Sequence, residues 1–163
     1  MTGDDARRAA LDVIKFECIE ARETPEIGEK LGAEVAARLG PRDERPLSIL
    51  ARDEAGAVVA GLNGASHWRW LYVRHLYVAP EWRGQGLGRR LLAQGEEAAR
   101  ARGCVGVYLD TFEESAAVFY ERRGFVRHGR IENFPPGAAR IFLSKELPSP
   151  VEREKVAPRS GVG

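Results

Sequence analysis

The chain has 163 residues, a formal net charge of +1 and 44% apolar residues. That length suits one domain with a sizeable core. The balanced charge argues against a general polyanion-binding protein, nucleic acid included, while leaving room for a local basic site. Cys18 and Cys104 lie far apart and outside any CxxC pattern, and the three histidines stand scattered at 67, 75 and 128. This pattern argues against a metal centre and for reduced thiols in an intracellular, cytoplasmic setting. The N-terminus lacks a basic-then-apolar signal plan, and no apolar run approaches membrane-spanning length.

Residues 4–22 are expected to form a first helix, capped by Asp4 or Asp5. Pro25 breaks the pattern. Residues 26–39 read as a second helix, with Ile27, Leu31, Val35 and Leu39 forming a stripe that would pack on a sheet, and Gly40-Pro41 stops it. Leu47–Arg52 and Ala57–Leu62 read as a hairpin around Asp53-Glu54-Ala55-Gly56. Asn63-Gly64 signals a turn, and His67–Val78 a longer strand. Gly86–Arg102 is a helix with a narrow face of Leu87, Leu91, Gly95 and Ala98/Ala99, suited to lying close on a sheet, and Gly103 ends it. Val105–Thr111 alternates as a strand, Glu114–Arg123 is a short helix, Phe125–Ile131 and Arg140–Leu147 are strands, and residues 133–137 turn between them. From Pro148 the chain is rich in Pro, Ser, Gly and charge and reads as a disordered tail, leaving residues 1–147 as a single domain. The order implies an α/β (α+β) domain: a mixed, mostly antiparallel sheet with helices on both faces and a central β-α-β unit.

The β-α junction carries the chemistry. A strand ending at Pro80 leads into Arg83-Gly84-Gln85-Gly86-Leu87-Gly88-Arg89-Arg90 and then a helix. Glycines allow close backbone approach, the first helical N–H groups lack partners, and the dipole adds positive potential, so the junction suits a phosphate-bearing ligand. A Walker A loop would need Gly-Lys-Ser/Thr, where this chain has Gly88-Arg89-Arg90. A dinucleotide fingerprint needs GxGxxG, and Gly84, Gly86 and Gly88 have the wrong spacing.

Arg83-x-x-Gly86-x-Gly88 after Leu76-Tyr77-Val78-Ala79-Pro80 resembles the acyl-CoA-binding motif of the GCN5-related N-acetyltransferase (GNAT) family. Ala116-x-x-x-Tyr120-Glu121-x-x-Gly124-Phe125 resembles that family's second landmark. Trp68-x-Trp70-Leu71-Tyr72, Leu109-Asp110-Thr111-Phe112, Phe134-Pro135-Pro136-Gly137 and Ile141–Leu147 resemble one bacterial branch. Two departures stand out: Glu113 occupies a position where many members carry Asn, and Ala138 one where that branch usually has His.

The resemblance implies acetyl transfer from acetyl-CoA, as co-substrate and with no metal, to the primary amine of a small molecule or peptide. A homodimer is the assembly common among similar enzymes. Leu76, Tyr77 and Val78 would line the pantetheine arm, with the Val78 or Tyr77 N–H facing the thioester oxygen. Arg83, Gly84, Gln85, Gly86, Leu87, Gly88 and Arg89 would hold the pyrophosphate. Tyr120 would protonate the leaving thiolate, a task that suits a phenol. His75 stands one residue before Leu76, where several members carry a Glu base, and an imidazole is a residue type suited to that role. Asp110, Glu113 and Glu114 could bind the acceptor's ammonium. Trp68, Trp70 and Tyr72 would form an aromatic wall on one side of the strand, for an acceptor or for packing. A non-catalytic acyl-CoA-binding module on the same fold is the alternative.

Overall fold

The computed structural model describes residues 14–148, together with Gly3 and Arg7. The chain divides into two compact units at Pro41/Arg42. In the first unit, α1 spans Pro25–Leu39. Pro25 sits at the start, where a missing N–H costs nothing, and Gly40, at φ 83°, closes the helix by donating to the Ala36 carbonyl. Within this unit, Ile27, Leu31 and Leu39 of the predicted stripe are exposed. The helix predicted over residues 4–22 is corrected in its second half. Residues 14–20 adopt no regular structure, and Ile14, Phe16 and Ile19 are exposed, so no buried apolar face holds a helix there. Of its first half, only Arg7 lies among the described residues, and it is helical. The predicted tail from residue 149 lies outside them.

The second unit is a six-stranded sheet in the order β1-β2-β3-β4-β6-β5. Its strands are β1 (Arg45–Arg52), β2 (Val58–His67), β3 (Trp70–Val78), β4 (Gly106–Thr111), β5 (Val126–Glu132) and β6 (Ala139–Glu146). Helix α2 (Leu87–Ala101) links β3 to β4, and α3 (Glu114–Glu121) links β4 to β5. Only β3 and β4 pair in parallel, and the α2 crossover makes that pairing accessible. Every other pair is antiparallel. The mixed, mostly antiparallel sheet matches the architecture the sequence predicts.

One hydrophobic core lies between a face of this sheet and the two helices. Leu62, Leu71, Val73, Val107, Leu109, Ile141 and Leu143 meet Leu91, Leu92, Ala117 and Tyr120 there. Gly95 lets α2 settle onto the strands, because a Cβ would lie 3.0 Å from a Leu62 methyl. Buried Glu96 ties the helix to β6 through Lys145 Nζ at 2.8 Å, with Arg100 Nη2 at 3.4 Å. Arg102 pins the helix end by donating to the Arg45 and Pro46 carbonyls and to Ser66 Oγ.

The largest correction concerns the middle hairpin. Asn63-Gly64 is not a turn: β2 runs straight through it, and the chain reverses at Trp68-Arg69, whose φ values are 43° and 63°. Tryptophan and arginine carry no turn signal, since a positive φ is strained for both. The surroundings hold them there. Trp68 N–H donates to the Arg42 carbonyl and its ring receives the Arg42 guanidinium, while Arg69 Nε donates to the Gly103 carbonyl at 3.1 Å. Asn63-Gly64 instead marks a β-bulge. Asn63 faces His75 and Gly64 faces Val73, leaving Arg74 as the extra residue on β3. A Cβ on Gly64 would collide with the Tyr72 carbonyl oxygen, so only glycine permits this approach.

Candidate active site

The bulge determines what β3 presents. Before it, Leu71 and Val73 face the core; after it, Leu76 and Val78 do, because the extra residue shifts the alternation by one position. Pairing of β3 with β4 covers only Trp70↔Gly106 to Val73↔Leu109, whereas β4 continues alongside β6 to Thr111. The two parallel strands therefore part company at the bulge and leave a gap beside residues 74–78.

The ladder phase shows which backbone groups line that gap. Ala79 N–H donates to the Val59 carbonyl at 2.8 Å. Hydrogen-bonded and non-bonded pairs alternate along an antiparallel ladder, so Gly61↔Tyr77 is a bonded pair, while Leu62↔Leu76 and Ala60↔Val78 are not. The N–H and C=O of Leu76 and Val78 thus point away from β2 and into the gap; those of Tyr77 point at Gly61. Arg83 Nε donates to the Val78 carbonyl at 2.9 Å, as that orientation requires.

The glycine turn closes one end of the gap. Gly84 and Gly86 have φ values of 75° and 83°, and Gly86 is the N-cap of α2 with no side chain to cap the helix. The N–H groups of Leu87, Gly88 and Arg89 belong to the first helical turn, which makes no intrahelical bonds, and Arg90 is the first to donate back, to the Gly86 carbonyl. Gly88 marks where strand, turn and α3 converge: a Cβ there would make ordinary contacts with Phe119 at 3.5 Å and Val78 at 3.8 Å. Gln85 lies at the surface of the turn, with Nε2 3.4 Å from the Glu81 carbonyl.

Phe119 leads to Tyr120, whose ring meets it edge-on at 5.1 Å and tilts against Phe125 at 5.6 Å. Tyr120 is buried, and burial pushes its phenol up to about 12. It therefore keeps its proton throughout the neutral range. The same end of the molecule holds a residue that sequence reasoning missed. Arg123 lies over the Phe119 ring at 3.6 Å, donates to the Phe119 carbonyl and leaves Nε buried without a partner. Burial lowers its pKa, and so does the charge of Arg89, followed by that of Arg122. The charges of Arg89 and Arg123 beside the N-terminus of α2 give this end of the gap a positive potential. In the sequence, Arg123 occupies an unassigned position of the second landmark, and nothing there ties it to Arg89.

The opposite face of β3, β4 and β6 carries the remaining candidates. Tyr72 stacks on Tyr108 at 4.9 Å, and Trp70 meets Tyr108 edge-on, its ring lying over Gly106, where a Cβ would collide with it. Trp68 is not part of this wall; it sits in the hairpin turn, before β3 begins, at the end remote from the gap. Asp110 Oδ1 accepts from the Tyr72 hydroxyl at 3.0 Å, and Oδ2 from Arg140 Nε at 2.7 Å. Glu114 pairs with Arg127 and Arg130 at the surface, which holds its carboxyl below the usual range. Glu113 is exposed at the N-cap of α3, where its N–H donates to Thr111 Oγ1. His75 is exposed at the bulge, on the same side as Tyr72 and Tyr77. Among the described residues no group of three or more His, Cys, Asp and Glu could hold a metal, and no helix is long and apolar enough to cross a membrane.

Comparison with known proteins agrees with this geometry. Residues 45–127 match the Acetyltransferase (GNAT) domain. An acetyltransferase of Agrobacterium fabrum is 37% identical over 137 residues, covering 84% of this chain and all of that one. Blasticidin-S acetyltransferase of Streptomyces morookaense is 39% identical over 109 residues, 64% of this chain and 80% of its own. An acetyltransferase crystal structure from Bacillus cereus superposes with a TM-score of 0.68 at 27% identity, covering 80% of this chain and 98% of that one. With strand, gap, glycine turn and tyrosine helix in one unit, the chain belongs to the GNAT acetyltransferase family.

Proposed function

We propose that the protein moves an acetyl group from acetyl-CoA to a primary amine by direct attack of the amine on the thioester. The observation that carries this reading is the gap beside β3. Main-chain groups of Leu76 and Val78 line it, the glycine turn closes one end, and Val78, Gly88 and Phe119 link it to Tyr120.

The pyrophosphate fits the turn. The N–H groups of Leu87, Gly88 and Arg89 supply donors, Gly84 and Gly86 give the backbone its shape, and Gln85, Arg89 and Arg123 add polar and positive groups. Arg83 acts on the turn by fastening it to the Val78 carbonyl. The pantetheine arm then runs along β3 from the turn toward the bulge, meeting Val78 first and Leu76 second. Leu76 therefore joins Val78 as a donor to the thioester oxygen, and Tyr77, whose N–H faces β2, contributes its position only.

The neutral amine nitrogen bonds to the thioester carbon, and the carbonyl oxygen takes the electron pair as an oxyanion, which the strand N–H stabilises. Collapse breaks the C–S bond. The thiolate takes the Tyr120 proton, the amine's surplus proton leaves to water with His75 the exposed base at the bulge, and the Tyr120 phenolate regains a proton from water to close the cycle. Holding donor and acceptor together supplies much of the rate.

The test is an amine panel followed by release of free CoA thiol, run beside thermal-shift titrations. Stabilisation by CoA but not by ATP or NAD, together with turnover of at least one amine, is expected. Stabilisation without transfer to any amine would leave a CoA-binding module in place of the enzyme.

A further inference from the structure

Among the described residues, the face of the sheet opposite the core carries Arg74 and Arg140 near the bulge together with Asp110, and one of the two guanidinium groups is matched. Asp110 is engaged at both oxygens, by Tyr72 and Arg140. Arg140 sits between the rings of Phe112, Phe134 and Phe142 at 5.2–5.6 Å, so its charge is both paired and flanked by aromatic rings. Arg74 is the surplus cation. As the extra residue of the bulge it extends over the Tyr72 ring, 5.9 Å from the centroid, and it makes no ion pair or hydrogen bond among the described residues. Of the acidic groups at the start of the neighbouring helix, Glu114 is committed to Arg127 and Arg130, and exposed Glu113 makes no ion pair with Arg74. Phe112 and Phe134 pack edge to face, remain exposed and flank Arg140, which connects to Arg74 through Asp110 and Tyr72.

We propose that the acceptor carries a carboxylate as well as its amine, that Arg74 binds this carboxylate, and that Phe112 and Phe134 receive the apolar body of the molecule. The inference rests on the amine-acetylating reading and names the class of its acceptor: amino acids and related amino acid-like compounds. A planar fork of N–H donors matches a carboxylate, and one unmatched guanidinium balances one negative charge. A polyamine would bring further positive charge to a face that already has an excess of it.

The experiment uses the full chain and matched triplets: several amino acids, each with its carboxamide and its decarboxylated amine, assayed by CoA thiol release. The carboxylate member of a triplet is expected to exceed the other two by about tenfold or more in kcat/KM, mainly through KM. Arg74→Gln should reduce the carboxylate-to-amide preference about tenfold, and Arg74→Lys should restore part of it. Amides or plain amines turned over as well as the acids, or a preference that Arg74→Gln leaves intact, would overturn the inference while leaving the transferase reading standing. Absence of CoA stabilisation in the thermal-shift titration would overturn both.

Discussion

Replacing Tyr120 by Phe separates catalysis from packing at a single oxygen atom. The ring contacts with Phe119 and Phe125 survive the change, and the hydroxyl makes no hydrogen bond to another described residue. Stability near pH 7 should therefore move by less than about 1 kcal/mol. Turnover should fall much further, because a positioned general acid contributes roughly 10²–10⁴-fold. The same phenol makes a pH prediction whose sign is fixed by its burial. Its folded pKa stands at about 12, against 10.0 in the unfolded chain. Below pH 10 both states are protonated and the contribution to stability is complete; between pH 10 and 12 the unfolded state ionises first and stability is lost. A difference of two units corresponds to about 2.7 kcal/mol at the upper end. Wild type should thus lose more stability than Tyr120→Phe when urea unfolding is repeated from pH 9 to pH 11. Steady-state kinetics with both substrates saturating provide the other half of the test. An unchanged kcat would remove Tyr120 from the mechanism, and identical alkaline stability profiles would refute the burial argument.

The glycines of the turn and bulge should respond in different ways. Gly86→Ala forces an alanine to φ 83° at the N-cap, so the KM for acetyl-CoA should rise at least tenfold at a stability cost of about 1 kcal/mol. Gly88→Ala meets only ordinary contacts with Phe119 and Val78, and chemical denaturation should show a loss below about 1 kcal/mol. Gly64→Ala meets the Tyr72 backbone instead and should cost more than about 3 kcal/mol, or abolish soluble protein; a small effect would mean that the bulge tolerates side chains. Arg123→Gln should weaken CoA several-fold in a titration at low salt, and the difference should shrink as salt is added.

What the sequence made legible were the features with local causes. Pro25 starts a helix, Gly86 begins another, and the glycines around Arg83 announce a turn, because each depends on backbone dihedrals alone. The alternation of Val107 and Leu109 against Tyr108 and Asp110 likewise revealed which face of β4 is buried. Features that depend on a neighbouring strand were not legible. Asn63-Gly64 has the composition of a turn, and only the passage of Tyr72 beside Gly64 makes it a bulge. Trp68-Arg69 forms the real reversal with no turn chemistry, held by Arg42 and Gly103 from elsewhere in the unit. Period-two counting puts Trp68, Trp70 and Tyr72 on one side of a strand, but β3 begins two residues later, at Trp70, and counting along one strand cannot supply Tyr108 from the next. Asp110 looked free to meet an ammonium; Arg140, thirty residues on, engages it.

One added residue at Arg74 also divides the labour between the two sides of a strand. On the donor side, the proposed working atoms of Leu76 and Val78 are main chain, so apolar exchanges at these positions would alter packing and leave the chemistry in place. On the other side, Tyr72, Arg74, His75 and Tyr77 present side chains, which can be exchanged without touching those atoms. Mutation can thus explore new acceptors while the acetyl donor stays fixed, and adjacent positions on β3 should tolerate change for opposite reasons.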